Sequence, residues 1–134
     1  MPKPILIIED DPDIAALLSY SLVAQNFETR VAVTGGEGLR ASLDKQSPPG
    51  LILLDFLLPE MNGLEICRRL RKEPSTTNIP IIMVTAKFSL ADVESAKAAG
   101  VNDYFTKPFS LRSLMESIGA LLNAEASERT PKIL

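Results

Sequence analysis

LILLDFLLPEMNG, residues 51–63, is the stretch whose reading decides the fold. Leu51 to Leu54 are apolar without interruption, Asp55 stands at their end, and a loop holding Pro59 and Gly63 leads into the next helical pattern. Such a run suits a strand buried on both faces, as the strands of a parallel sheet are. In these sheets ligand chemistry collects just beyond the carboxyl ends of the strands. Asp55 is therefore the first candidate for function.

On the N-terminal side of this stretch, Ser47-Pro48-Pro49-Gly50 reads as a rigid loop into the strand. Before it, Thr34-Gly35-Gly36-Glu37 fits a capping box whose helix runs through Leu39 and Leu43. These glycines match neither the G-x-G-x-x-G fingerprint nor a P-loop, so they are read as capping rather than phosphate-binding. Thr29 to Val33 is a weaker strand and Ile5 to Ile8 a strong one. Between them Asp11 caps a helix with Pro12 at its first position, and Ile14, Leu17, Leu18 and Leu22 recur at helical spacing.

On the C-terminal side, Asn62 to Glu65 offers a cap before Leu64, Cys67 and Leu70, which places Cys67 on an apolar stripe as a buried structural thiol. Pro80 opens a strand, Ile81 to Val84, ending at Thr85 and Ala86. Ser89 caps a helix carrying Leu90, Val93 and Ala96, and Gly100 suits its end. Val101 to Thr106 is a fifth strand, ending in Lys107-Pro108. Ser110 then caps a last helix with an apolar stripe of Leu111, Leu114, Met115, Ile118, Leu121 and Leu122.

Five strands alternating with five helices predict an α/β fold, a parallel sheet sandwiched by helices through right-handed crossovers. The domain is expected over residues 1–123. From Ala124 the pattern fades, so residues 124–134 read as a tail or the start of a linker to an effector domain.

Composition narrows the chemistry. The chain of 134 residues supports one compact domain, and its net charge of −3 with pI near 5.0 offers no basic field for nucleic acid. Cys67 is the only cysteine and histidine is absent, which excludes an intramolecular disulfide, a Cys/His zinc site and a histidine general base. The first apolar run is too short for a signal peptide and no stretch approaches a membrane span, so the expected location is cytoplasmic, away from the membrane.

The predicted sheet gathers Glu9, Asp10 and Asp11, then Asp55, Thr85 and Lys107 at one edge. Carboxylates this close repel by about 4 kcal/mol per pair at an effective dielectric near ~20, so the cluster needs counter-charge. Lys107 supplies one ammonium. A divalent cation can supply the rest, and Mg2+, which takes few carboxylates and keeps waters, suits the set better than Ca2+. Asp55 then reads as a nucleophile of the aspartyl-phosphate kind, with Thr85 and Lys107 holding phosphoryl oxygens.

The motifs IIEDD at 7–11, LLDFLLPEMNG at 53–63, VTA at 84–86 and DYFTKPFS at 103–110 occur in the order found in the receiver domain of bacterial two-component response regulators, which the chain resembles over residues 4–123. The resemblance implies a flavodoxin-like, doubly wound fold. It implies that Asp55 is the phosphoacceptor, and that Glu9 and Asp10, with Asp55 and the backbone carbonyl of Leu57, bind Mg2+. Thr85 becomes the switch hydroxyl, Tyr104 the switch aromatic, and Lys107 the conserved lysine of the family, ahead of a cis Lys107-Pro108 bond. The donor is a sensor histidine kinase or phosphotransfer protein. The chain catalyses its own phosphorylation and slow dephosphorylation rather than turning over an external substrate. A changed helix 4–strand 5–helix 5 surface then controls an output domain or partner.

Two departures shape the expectation. The lifetime-tuning positions hold Leu57 and Lys87, and an apolar Leu57 cannot orient an attacking water, which implies slow hydrolysis. Where winged-helix transcription factors of the family pair through charges in a phosphorylation-dependent homodimer, this chain has Val93, Ser113 and Ser117. The competing readings are a haloacid-dehalogenase-like phosphatase using Asp11 of Asp11-Pro12-Asp13, and an interaction module independent of phosphorylation.

Overall fold

The computed structural model describes residues 3–129, with side chains to residue 124. Elements alternate as β1 (Ile5–Ile8), α1 (Pro12–Val23), β2 (Thr29–Ala32), α2 (Gly35–Ser42), β3 (Leu51–Leu54), α3 (Gly63–Lys72), β4 (Ile81–Thr85), α4 (Leu90–Ala99), β5 (Asp103–Thr106) and α5 (Leu111–Arg129). All pairings are parallel, in the order β2-β1-β3-β4-β5. This is the five-stranded, doubly wound sheet expected from the sequence, with β3 at its centre.

Alternation along the strands builds two cores. Leu6, Ile8, Ile52, Leu54, Ile81 and Met83 meet Ile66, Cys67 and Leu70 of α3 and Ala96 and Ala99 of α4 on one face. Ile5, Ile7, Leu51, Leu53, Ile82 and Val84 meet Leu18 and Leu22 of α1 and Leu114 and Ile118 of α5 on the other. Cys67 is fully buried, its thiol donates to the Ala99 carbonyl at 3.2 Å, and burial pushes its pKa up, all consistent with a structural thiol.

The expected caps form. Asp11 Oδ1 accepts from the Asp13 and Ile14 amides, Asn62 from Glu65, Ser89 from Asp92 and Ser110 from Ser113. Thr34 accepts from the Glu37 amide, while Glu37 reaches back to the Val33 amide, one residue earlier than a standard capping box. Gly100 closes α4 in the left-handed region at φ 111°.

Three details differ from the expectation. Leu17 is 45% exposed, because the buried stripe of α1 runs through Ala15, Leu18 and Leu22 and leaves Leu17 on its flank. Leu90 is 73% exposed, because α4 buries only its later residues, Ala96 and Ala99. Helix α5 passes the polarity change at Ala124 and runs to Arg129, carried by helix-favouring residues such as Ala124, Glu125 and Ala126. Residues 130–134 of the expected tail lie outside the described residues.

Sequence periodicity gave no warning of Arg71. Its guanidinium donates to the carbonyls of Gly100 at 2.8 Å, Ile79 at 2.7 Å and Thr77 at 3.1 Å, and to Asn102 Oδ1 at 3.0 Å. Asn102 Oδ1 in turn accepts from the Ile81 amide at 2.8 Å. One side chain thus ties the end of α3 to the starts of β4 and β5. Replacing Arg71 by Met keeps the apolar stem but strands these carbonyls. We expect Arg71→Met to cost about 3 kcal/mol, read as a lowered urea midpoint at unchanged m-value.

Candidate functional site

Register determines which side chains meet at the carboxyl ends of the strands. Ile8 pairs with Leu54, so the next residues, Glu9 and Asp55, stand level with each other. Thr85 pairs with Thr106, which sets Lys107 one step beyond. The ladder continues through these positions, with the Asp55 amide donating to Ile8 O at 3.1 Å and the Lys107 amide to Thr85 O at 2.8 Å. Asp55, Glu9 and Lys107 are therefore held by sheet hydrogen bonds rather than by flexible loop.

Their side chains form an ion cluster in which Glu9 and Asp55 are buried and Lys107 is partly exposed. Lys107 Nζ lies 2.5 Å from Glu9 Oε1 and 2.8 Å from Asp55 Oδ2. The remaining oxygens also have donors: Glu9 Oε2 accepts from the Asp11 amide at 3.1 Å and Asp55 Oδ1 from the Leu57 amide at 3.0 Å. Glu9 and Asp55 are 3% and 5% exposed, whereas Asp10 faces solvent. Oxygens of Glu9, Asp10 and Asp55 all lie within 4.8 Å of one another. This all-oxygen set fits a hard cation and offers nothing to a soft one.

Burial and charge pull against each other here. Burial pushes the Glu9 carboxyl above its ordinary value of 4.5, and the Lys107 hydrogen bond only partly offsets it. Burial acts to lower the Lys107 ammonium pKa, but its hydrogen bonds to Asp55 and Glu9 outweigh that, and the net shift is upward. Lysine remains charged, and two carboxylates share its charge.

Thr85 is fully buried at the end of β4, and its Oγ1 accepts from the Lys87 amide at 3.4 Å. Tyr104, half-buried on β5, donates its hydroxyl proton to the Lys87 carbonyl at 2.7 Å. Burial, followed by the charges of Asp92 and Asp55, raises the Tyr104 pKa and keeps that proton in place. Leu57 points outward at 52% exposed, on the loop directly after Asp55. The Lys107-Pro108 bond is cis.

Glu9, Asp10, Asp55, Thr85 and Lys107 stand together at the strand ends, whereas the Asp11 carboxylate does not join them. That carboxylate caps α1, and β4 ends in Thr85 and Ala86 rather than a pair of acids. The phosphatase reading needed Asp11 as a nucleophile and an acid pair at the end of β4. Sequence reasoning overlooked Phe56. Its ring lies 4.9 Å beneath Lys87 Nζ, which also reaches Asp92 Oδ1 at 3.6 Å. An aromatic directly after the rim acid, with a lysine two past the rim threonine, was the available signal.

A doubly wound sheet carrying this acid, lysine and hydroxyl cluster beyond its strand ends defines an α/β signalling module of the receiver type. The family model of the response regulator receiver domain matches residues 5–119, and the chain belongs to that family. It is 38% identical over 132 residues to the "DNA-binding dual master transcriptional regulator RpaA" of Synechocystis, covering 98% of this chain and 53% of that protein. The chain thus spans about half the length of the curated relatives it matches. Among solved structures, the CheY-like receiver domain protein of Methanospirillum hungatei is similar at TM-score 0.87 and 32% identity, covering 96% of this chain and 99% of that one. The receiver domain of a sensor histidine kinase from Pseudomonas aeruginosa, described with a magnesium ion coordinated in its active-site cleft, is similar at TM-score 0.81 and 26% identity, covering 92% and 99%. No helix among the described residues is long and apolar enough to cross a membrane.

Removing the lysine charge leaves two buried carboxylates facing each other. We expect Lys107→Ala to lose about 3 kcal/mol near neutral pH, with Mg2+ restoring part of it. Glu9 then holds its proton still more tightly than in the unfolded chain. A carboxyl with a raised folded pKa loses stabilisation as pH rises from 4.5 through that pKa, so the deficit against the parent shrinks in acid. Urea unfolding of both proteins across pH, with and without Mg2+, checks both signs.

Proposed function

We propose that this receiver accepts a phosphoryl group on Asp55 from a phosphohistidine of a sensor histidine kinase or phosphotransfer protein. The observation that carries the reading is the Lys107 ammonium bridging the buried carboxyls of Asp55 and Glu9, with Asp10 beside them at the rim. A carboxylate oxygen of Asp55 attacks phosphorus, and the new P–O bond forms as the P–N bond to the donor imidazole breaks. The imidazole departs with its electron pair and takes a proton from solvent.

Glu9, Asp10, Asp55 and the Leu57 carbonyl are the residues that would hold Mg2+. When bound, the ion supplies positive charge against the phosphoryl oxygens. The protein's own part is positioning. The Leu57 amide fixes one oxygen of Asp55, and Lys107 follows the new charge from the carboxylate to the phosphoryl group.

The buried Thr85 hydroxyl is the donor available for another phosphoryl oxygen. Its inward movement frees the Lys87 amide it now accepts from, and Tyr104, bonded to the same residue, responds with it. The surface of α4, β5 and α5 thereby changes population between two states and controls an output domain or a downstream protein. At the positions where charged pairing between copies would occur, Val93 is half-buried and the Ser117 hydroxyl is bonded to Asp103, which gives no support to that form of homodimer.

The hydrolysis rate follows from Leu57 and Lys87. Leu57 has no group to orient water, and Lys87 is drawn toward Phe56 and Asp92. We expect stoichiometric labelling by acetyl phosphate that requires Mg2+, is abolished by EDTA, and is lost in Asp55→Asn. Labelling that persists in Asp55→Asn contradicts the assignment. The acyl phosphate of the parent is long-lived, and Leu57→Asn shortens its half-life roughly tenfold by giving water a partner. An unchanged half-life removes Leu57 from that role.

A further inference from the structure

The glycine pair at the start of α2 was read from sequence only as part of a helix cap, yet it lies against the loop that leaves Asp55. Gly35 N–H, at the first position of α2, donates to the Pro59 carbonyl at 2.9 Å. That bond satisfies a helix-end donor and a loop carbonyl together. The loop's other backbone bonds are internal: Leu57 N–H to Asp55 Oδ1, Met61 N–H to Pro59 O and Gly63 N–H to Phe56 O. Leu58 and Met61 give it apolar anchorage on the α3 side of the core.

Contact at this platform is close at both glycines. A Cβ added at Gly35 would come 1.9 Å from Met61 O, and one at Gly36 would come 2.5 Å from Glu60 Oε1. Glu60 itself holds φ 72°, a left-handed conformation that a non-glycine residue adopts only under constraint from its surroundings. The two glycines therefore differ. The obstacle at Gly35 is backbone, whereas at Gly36 it is the end of one flexible side chain.

We propose that Gly35 and Gly36 are positioning residues for the Asp55 site: the bare N-terminus of α2 sets the height of the loop 56–61, and so where the Leu57 amide and carbonyl stand relative to Asp55. The inference rests on the proposed Mg2+ site for its functional consequence, but the placement of the loop stands without it. Residues that orient a metal-binding group change metal affinity by roughly ten- to a hundredfold when altered.

The test uses the full chain and four variants, Gly35→Ala, Gly36→Ala, Glu60→Gly and the double variant Gly36→Ala with Glu60→Gly. Each is measured by Mg2+ titration calorimetry and by amide hydrogen exchange without metal. Gly35→Ala should weaken Mg2+ binding at least roughly tenfold and speed exchange at residues 57–61, with β1 and β3 still protected. Gly36→Ala should do the same more weakly, and Glu60→Gly in the same chain should restore both readouts. Parent-like exchange at 57–61 in Gly35→Ala, or Gly36→Ala unrescued by Glu60→Gly, overturns the platform. A parent that binds no Mg2+ while the exchange results hold overturns the metal site and leaves the platform standing. Should Gly35→Ala fail to fold, the Gly36 pair decides alone.

Discussion

One ammonium held between two buried carboxylates is the constraint on which the carboxyl edge of this sheet depends. Glu9 and Asp55 are level because Ile8 pairs with Leu54, and both are nearly closed to solvent. Two charges in that setting are tolerable only with a partner, since a buried carboxylate left alone costs several kcal/mol or takes up a proton. Lys107 arrives from the far side of β4, one residue past a strand whose register with β4 fixes its height. The ion cluster thus makes β1, β3 and β5 dependent on one another at a place where the backbone ladders alone would leave a rim of repelling acids.

The same arrangement explains why the rim can respond to a change in charge. Lys107 is shared, and neither carboxylate holds it exclusively. Under the proposed reading, a phosphoryl group on Asp55 competes for that ammonium and for the Thr85 hydroxyl, and those shifts are felt along β4 and β5. In that reading Lys87 is the relay within reach, because its amide faces Thr85, its carbonyl holds Tyr104, and its ammonium sits between Phe56 and Asp92. Helix α4, beside that relay, buries only Ala96 and Ala99.

Much of this was legible in the sequence because it follows from local rules. Apolar runs located β1, β3 and β4, while Asp11, Asn62, Ser89 and Ser110 announced their helices by the chemistry of the N-cap. The rim residues could be named because a parallel sheet sends every strand end to one edge, and a carboxylate, a threonine and a lysine at separate strand ends point to one site. What sequence could not show was contact between elements far apart in the chain. Arg71 reads as one more charge at a helix end, yet it bonds three carbonyls in two later segments, the loop before β4 and the end of α4. Gly35 and Gly36 satisfy a capping pattern, and only the approach of Met61 and Glu60 reveals a second reason for them. Leu17 and Leu90 fitted the helical period but fall outside the buried stripe, because periodicity gives a face and packing decides its width.

Where Lys107 goes when Asp55 carries a phosphoryl group decides the proposed mechanism. A crystal structure of the chain with Mg2+ and beryllium trifluoride, a phosphoryl mimic, measures this directly. The prediction is a beryllium adduct on Asp55, Lys107 Nζ moved off Glu9 onto a fluoride, and the Thr85 hydroxyl donating to another fluoride. An adduct on a different carboxylate, or Lys107 still bridging Glu9 and Asp55 beneath an occupied site, would contradict it.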